Sequence, residues 1–158
     1  MPRRLLLFVS FVCFVVPLAR AADVGFVHVW PGWRDAEAFD RISEYFGGGE
    51  NQSGQIILRT QPAERAGYYF LARVKSATAQ AGAKFLLSVI RPDSPDPMVF
   101  TFATAVPAKE TVFQLGLTGV DWPGGQKANP AAWKISFVGA DGRVLAEYKS
   151  FLWEKPAK

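Results

Sequence analysis

The sequence has 158 residues, of which 49% are hydrophobic and 20% are charged, and its formal net charge is +4. This composition excludes a collagen-like, low-complexity or wholly disordered protein and indicates one folded domain. Fourteen glycines, eleven prolines and 14% aromatic residues favour many short elements joined by turns over long helices.

The N-terminal segment has the pattern of a secretory signal peptide. Arg3 and Arg4 precede an apolar run over 5–18, which is shorter than the roughly twenty residues that a membrane-spanning helix needs. The spacing of small residues predicts cleavage after Ala21, so residues 1–21 would be removed and the protein would act in the periplasm or outside the cell. A retained membrane anchor is the alternative. The very apolar residues after the paired arginines favour the general export route over the folded-protein route.

Cleavage would change the chemistry that remains in the chain. Cys13 is the one cysteine and lies in the apolar run, so the domain expected over 22–154 has no thiol for a disulfide, a metal ligand or a nucleophile. Loss of Arg3, Arg4 and Arg20 lowers the formal net charge from +4 to +1. No dense basic cluster remains, which argues against nucleic-acid binding, and no stable membrane anchor is expected after cleavage.

The mature chain is predicted to begin with a strand and a turn. Alternation over 24–30 indicates a strand with Phe26, His28 and Trp30 on one side. Residues 30–34 contain a proline and a glycine and are predicted to form a turn.

One amphipathic helix is predicted after this turn. Asp35 is placed to cap it, and the three glycines of 47–49 are placed to end it. Its apolar face is expected to cover a sheet or one end of a sandwich. The apolar positions at helical spacing are Ala38, Phe39, Ile42, Tyr45 and Phe46.

The rest of the chain is predicted to consist of strands and turns. Asp141 and Gly142 lie between two strand patterns and suit a tight hairpin, because both residue types tolerate a positive φ. With the first strand and the helix, this pattern predicts a mainly β protein with an antiparallel β-sandwich as its single domain. A flexible tail is expected over 155–158. The further predicted strands are 55–61, 67–75, 84–91, 98–106, 111–117, 132–138 and 143–153.

A short segment at the start of the predicted strand 67–75 has a distinctive order. Glu64 is followed by Gly67 and then by Tyr68 and Tyr69 as the chain enters the strand. This order resembles the tyrosine-corner stretch of immunoglobulin-like domains. The resemblance covers about seven residues and implies sandwich architecture. It implies no function.

The catalytic inventory is small. His28 is the one histidine, so a serine triad would have to combine it with a serine such as Ser43 or Ser53. Asp35 or Asp121 would then be the acidic partner. No serine has the glycine pattern of a nucleophile elbow. His28 is therefore expected to be a structural histidine of a sheet, and no catalytic residue and no enzymatic activity are predicted.

Metal and cofactor sites are not expected either. Residues 93–97 bring Asp93 and Asp96 close together, but their prolines and the missing glycine favour a rigid turn over a calcium loop. The glycines of 47–49 follow a helix instead of opening one, which disfavours a nucleotide site. The glycosylation pattern at Asn51 is interpreted as a chance match.

Tryptophan is the feature of this composition that points to binding. Trp133 alternates with apolar neighbours and is predicted to lie in the core, whereas three other tryptophans lie at strand ends or in turns beside prolines. Exposed indoles can stack on sugar rings or anchor a protein partner. The alternatives are that two of them pack beneath the helix and that the loop 118–131 hides a short helix. The candidate contact residues are Trp30, Trp33, Trp122, Lys127 and Asn129.

These observations predict an exported, non-catalytic binding or structural domain. A protein partner is the first hypothesis, engaged through an edge strand or through the tryptophan-containing loops. A carbohydrate-binding module that uses exposed tryptophans is the alternative, and a hydrolase centred on His28 is the third hypothesis.

Overall fold

The computed structural model describes residues 23–39 and 54–154. Within these ranges eight strands form two four-stranded sheets around a shared apolar core, so the predicted β-sandwich is confirmed. The first sheet has the order β1-β3-β6-β2 and the second the order β5-β4-β7-β8. The strands are β1 (Val24–Arg34), β2 (Gln55–Arg59), β3 (Gly67–Ser76), β4 (Gln80–Ile90), β5 (Met98–Val106), β6 (Glu110–Thr118), β7 (Ala132–Val138) and β8 (Val144–Lys149).

The connections follow a Greek-key path. All strand pairs are antiparallel except β2 with β6, which run parallel. Without β2, the order β1-β3-β6 facing β5-β4-β7-β8 is similar to strands A, B and E facing C′, C, F and G of an immunoglobulin-type sandwich. Strand β2 is thus an additional outer strand beside β6.

The core is formed by the inward-facing residues of both sheets. Phe113 of the first sheet and Phe85 of the second are fully buried, and their ring centres lie 4.9 Å apart. Phe137 on the neighbouring strand lies 5.1 Å from Phe85. Burial of each such side chain contributes roughly 1.5–3 kcal/mol to the association of the two sheets.

Strand β1 is longer than the sequence predicts. The expected turn over 30–34 is wrong, because these residues continue β1 and pair with β3, Pro31 opposite Phe70 and Trp33 opposite Tyr68. Proline has no backbone N–H to donate to a neighbouring strand. In an outer strand this is tolerated, because one side of the strand forms no hydrogen bonds to another strand. The position of β1 at the edge of its sheet therefore permits a proline that the sequence pattern interprets as a turn.

A β-bulge in β1 changes which side chains share a face. Phe26 lies opposite Val74 and His28 opposite Arg73, which leaves Val27 as an extra residue. Phe26 consequently packs against the core, while His28 is exposed on the outer face. The prediction that Phe26 shares a side with His28 and Trp30 is wrong for this reason.

The helix predicted after Asp35 begins where expected. Residues 37–39 form one helical turn, in which the amide of Ala38 donates to the carbonyl of Asp35 at 3.1 Å. Phe39 is buried, with its ring 5.0 Å from that of Tyr69 on the outer face of the first sheet. The rest of the predicted helix lies outside the described residues, as do the glycines of 47–49, Ser43, Ser53, Asn51, the predicted signal peptide and the tail 155–158.

The β7–β8 hairpin is confirmed at the predicted position, but Asp141 does not adopt a positive φ. The amide of Gly142 donates to the carbonyl of Gly139 at 3.0 Å, and Gly142 has a φ of +81°. Strand β8 nevertheless ends at Lys149, and Phe151–Glu154 form a 3₁₀ turn, so the predicted strand 143–153 is too long. An apolar run at the end of a strand has no internal signal for this change of conformation.

The tyrosine-corner resemblance is supported by a specific hydrogen bond. The hydroxyl of Tyr69, which is fully buried, donates to the carbonyl of Arg65 at 2.6 Å, four residues upstream. It also accepts a bond of 2.7 Å from Nε of Arg59 on β2. The ring lies over Gly116 of β6, where a Cβ would overlap it. The corner lies at the start of β3, however, and not at the strand F position that immunoglobulin domains use.

Candidate functional site

The loop between β6 and β7 does not expose its tryptophan. Trp122 is only 4% exposed, its ring centre lies 4.8 Å from that of Tyr68, and its indole N–H donates to the carbonyl of Gly125 at 3.1 Å. The expectation that Trp122 is exposed is therefore wrong. Two 3₁₀ turns, Gly119–Asp121 and Gly125–Lys127, fold the loop around the indole. They correspond to the short helix that the sequence left open as an alternative for the loop 118–131.

The polar residues of this loop are exposed. Lys127 and Asn129 both reach solvent, and the side-chain oxygen of Asn129 accepts a hydrogen bond of 3.3 Å from the hydroxyl of Tyr68. These residues and Trp122 belong to one loop, but the buried indole cannot act with them as a contact surface.

A small pocket of about 150 Å³ lies beside Trp122 and includes Arg91. Nε of Arg91 is 3.1 Å from a carboxylate oxygen of Asp93, and an Nη donates to the carbonyl of Asp121 at 3.3 Å. The guanidinium is thus already bound by protein oxygens. These contacts connect Asp93 to the loop that contains Asp121, and residues 92–96 form the expected turn.

Trp30 is the exposed member of the three tryptophans proposed for contact. Its side chain is 44% exposed on the outer face of the first sheet. The ring of His28 lies 4.3 Å away, and the guanidinium of Arg73 lies over the indole at 5.2 Å from its centre. Arg73 is also 3.5 Å from a carboxylate oxygen of Glu110. A sugar would have to compete with the guanidinium for that indole face.

Trp33 faces the opposite way along β1. It is partly buried against the core, and its indole N–H donates to the carboxylate of Asp35 at 2.7 Å. Trp30 and Trp33 both line an open hollow of about 380 Å³ at this end of β1. The three tryptophans therefore do not form one flat platform.

His28 has no assembled catalytic partners among the described residues. Its Nδ1 lies 3.3 Å from the hydroxyl of Tyr148 on β8. Of the two proposed acidic partners, Asp35 accepts a hydrogen bond from the indole N–H of Trp33, and Asp121 accepts one of 3.0 Å from the side-chain amide of Gln61. His28 of the first sheet thus contacts Tyr148 of the second sheet, where β1 and β8 lie next to each other.

The described residues contain no group of three histidine, cysteine, aspartate or glutamate side chains that could hold a metal ion. In the same part of the chain, no helix combines the length and the apolar character required to cross a bilayer.

The outer strand β5 presents an uncharged sheet edge. It pairs with β4 on one side and ends the second sheet on the other. Its nine residues include no charged residue and no proline, and Pro97 and Pro107 flank it. Phe102 and Val106 anchor it in the core. Its outward positions are Val99, Thr101, Ala103 and Ala105, all exposed.

The other three outer strands each have a feature that hinders edge-to-edge pairing. Strand β1 has the bulge at Val27 and a proline, and β8 lies beside it. Strand β2 has five residues and ends in an arginine. Strand β8 has Glu147 and Lys149, and its pairing with β7 has a register shift. Bulges, prolines, charges and short length are the usual protections of sheet edges; within the described part of the chain, β5 has none of them between Met98 and Thr104, and its flanking prolines and its register shift lie outside that stretch.

The pairing of β5 with β4 is also regular over most of its length. The register with β4 is continuous from Val89 opposite Met98 to Ala83 opposite Thr104, and it shifts only beyond Ala83. The outward face beside it is mostly uncharged, with Ser88 and Leu86 of β4 next to Val99 and Thr101, and Lys84 next to Ala103. Strand 98–106 is correctly predicted, and its lack of charge is visible in the sequence. Its position at the edge is not, because strand order depends on pairings between distant segments.

The sequence matches no protein-family model, and no curated protein is similar enough to count as a relative.

Proposed function

We propose that this chain is an exported binding domain without catalytic chemistry of its own, and that it engages a protein partner by adding an extended segment of that partner to β5. The observation that carries this proposal is the contrast between the four outer strands. Three have a protective feature within the strand or its pairing, whereas β5 is uncharged, contains no proline and pairs in unbroken register with β4 from Met98 to Thr104.

The chemistry of such an edge suits a polypeptide better than a glycan. An outer strand presents a row of backbone N–H and C=O groups, which an extended peptide pairs with through its own backbone. Alternate side chains of the peptide would then lie beside Val99, which is 61% exposed, and beside Thr101 and Ala103. An edge of this kind favours partner residues that are small or β-branched and uncharged.

The proposal can be tested with extended peptides selected from a random ten-residue library displayed on phage. The protein is purified after expression with its own leader, and selected peptides are then resynthesised with N-methyl groups at single positions. N-methylation removes a backbone donor, so methylation at every second residue is expected to weaken binding at least tenfold while the intervening positions tolerate it.

Two valines provide a matched pair of variants for this experiment. Val99→Lys introduces a charge on β5, and Val144→Lys introduces the same charge at a similarly exposed position on β8, where the native side chain is 55% exposed. Val99→Lys is expected to lose peptide binding at least tenfold, and Val144→Lys is expected to retain it. The proposal is wrong if no peptide is selected, if both variants bind alike, or if N-methylation shows no alternation.

A further inference from the structure

We infer that the partner strand on β5 is the β5 strand of a second copy of this chain, so that two sandwiches share one continuous sheet of eight strands. This inference rests on the proposed function, because it requires β5 to accept a strand. It adds the identity of that strand, its direction and its register.

The register follows from the unbroken part of the ladder between β4 and β5. The ladder with β4 is unbroken from Met98 to Thr104, and Thr101 is its middle residue. Beyond Thr104 the pairing shifts where Gly82 of β4 has a φ of +66°. An antiparallel pairing of two copies about a twofold axis at Thr101 therefore uses the whole regularly paired segment, Met98 to Thr104, of both strands.

This register places compatible side chains opposite each other. Thr101 meets Thr101 of the second copy, and Val99 meets Ala103 of the second copy on the same exposed face. On the core side, Phe100 meets Phe102 of the second copy. Threonine pairs, aromatic pairs and small apolar pairs are favourable across antiparallel strands.

Charge permits this association as well. Strand β5 has no charged residue, so two copies bring no like charges into direct opposition. The nearest charge on that face is Lys84 of β4, opposite Ala103. The Lys84 residues of the two copies would be about 14 Å apart across the sheet, which is three strand spacings, and about 13 Å apart along it, so salt screens the repulsion between them.

The distribution of protected edges limits the assembly to two copies. A twofold contact uses the same edge of each copy and leaves neither β5 free. The remaining outer strands, β1, β2 and β8, have a bulge, short length or charges. The structure thus favours a closed dimer over an open chain of sandwiches.

Single cysteines test the register directly. The background is the full chain with Cys13→Ser, expressed with its own leader, so that the introduced thiol is the only one. Thr101→Cys is expected to form a disulfide-linked dimer under mild oxidation, because residues opposite each other in antiparallel strands have Cα atoms about 4.5–5.5 Å apart.

Two neighbouring positions serve as controls for Thr101. Val99→Cys alone and Ala103→Cys alone are expected not to cross-link, because each thiol would be about 13 Å along the strand from its counterpart. A mixture of Val99→Cys and Ala103→Cys is expected to give the mixed dimer. Equal cross-linking of all single variants, or none at Thr101, would overturn the register.

Light scattering tests the association without cross-linking. The unmodified chain is expected to have twice the mass of one copy, Thr101→Lys to have the mass of one copy, and Thr101→Val to remain double. A peptide selected for β5 is expected to convert the dimer to single copies. If the chain has the mass of one copy but selected peptides still lose binding to Val99→Lys, the second copy is excluded while strand addition stands. If those peptides do not depend on β5, both ideas fail.

Discussion

The tyrosine corner provides a direct test of how the first sheet is stabilised. Replacing Tyr69 by phenylalanine removes one buried hydroxyl and leaves the ring between Phe39 and Gly116. That hydroxyl donates to the carbonyl of Arg65 at 2.6 Å and accepts from Nε of Arg59 at 2.7 Å. It therefore joins the start of β3 to the outer strand β2, which is separated from β3 by β6.

The expected loss of stability follows from the two hydrogen bonds. A bond between neutral groups contributes about 1 kcal/mol and a bond to a charged group about 1.5–3 kcal/mol. Arg59 is partly exposed, so water can solvate its guanidinium in the variant and the lower end of that range applies. We expect Tyr69→Phe to lower the free energy of unfolding by about 2–3 kcal/mol.

The neighbouring tyrosine is a matched control. The hydroxyl of Tyr68 makes a longer bond, 3.3 Å, to the exposed side chain of Asn129, so Tyr68→Phe is expected to cost less than about 1 kcal/mol. Urea unfolding followed by tryptophan fluorescence measures both values, and an unchanged dependence on urea shows that the comparison is valid. A loss for Tyr69→Phe no larger than that for Tyr68→Phe would refute the role assigned to the corner.

Two further predictions concern buried and exposed side chains of both sheets. Trp122→Ala is expected to lower the free energy of unfolding by about 3–5 kcal/mol, because the indole of Trp122 is buried. Trp30 is exposed, so Trp30→Ala is expected to lower it by less than about 1 kcal/mol. Equal losses for the two variants in urea unfolding would contradict these environments. The pKa of Glu147 lies below its usual range, chiefly because the hydroxyl of Ser136 donates to it at 2.8 Å and secondarily because Lys134 is nearby. The stability that this carboxylate contributes is thus present above its ordinary pKa and is lost as pH falls through the lowered value. Ser136→Ala should raise the pKa of Glu147 measured by NMR titration, and an unchanged pKa would be evidence against this hydrogen bond.

The features that the sequence predicts correctly are local ones. Alternation of large apolar residues, as around Phe85 and Phe137, identifies strands because every second side chain of a strand reaches the same face. The hairpin at Gly142 and the tyrosine corner at Tyr69 are also local, because the residues that form them lie within a few positions of one another.

The errors arise where distant segments decide the outcome. Pro31 lies in the predicted turn over 30–34, yet β1 continues through it because an outer strand needs no hydrogen-bond partner on one side. The bulge at Val27 reverses the faces of the residues before and after it. Trp122 is buried because the chain folds back over it and Tyr68 lies beneath it, and nothing within the loop sequence specifies that contact.

By itself, the sequence determined that this chain forms short strands with one apolar face each, because period-two alternation and turn chemistry depend on neighbouring residues. Only the tertiary structure decided which strands lie at the edges, β5 among them, and which of the candidate tryptophans is exposed. Those properties depend on pairings such as Tyr68 opposite Leu117, between segments far apart in the chain. Such pairings follow from the packing of the two sheets together and not from any single stretch of residues.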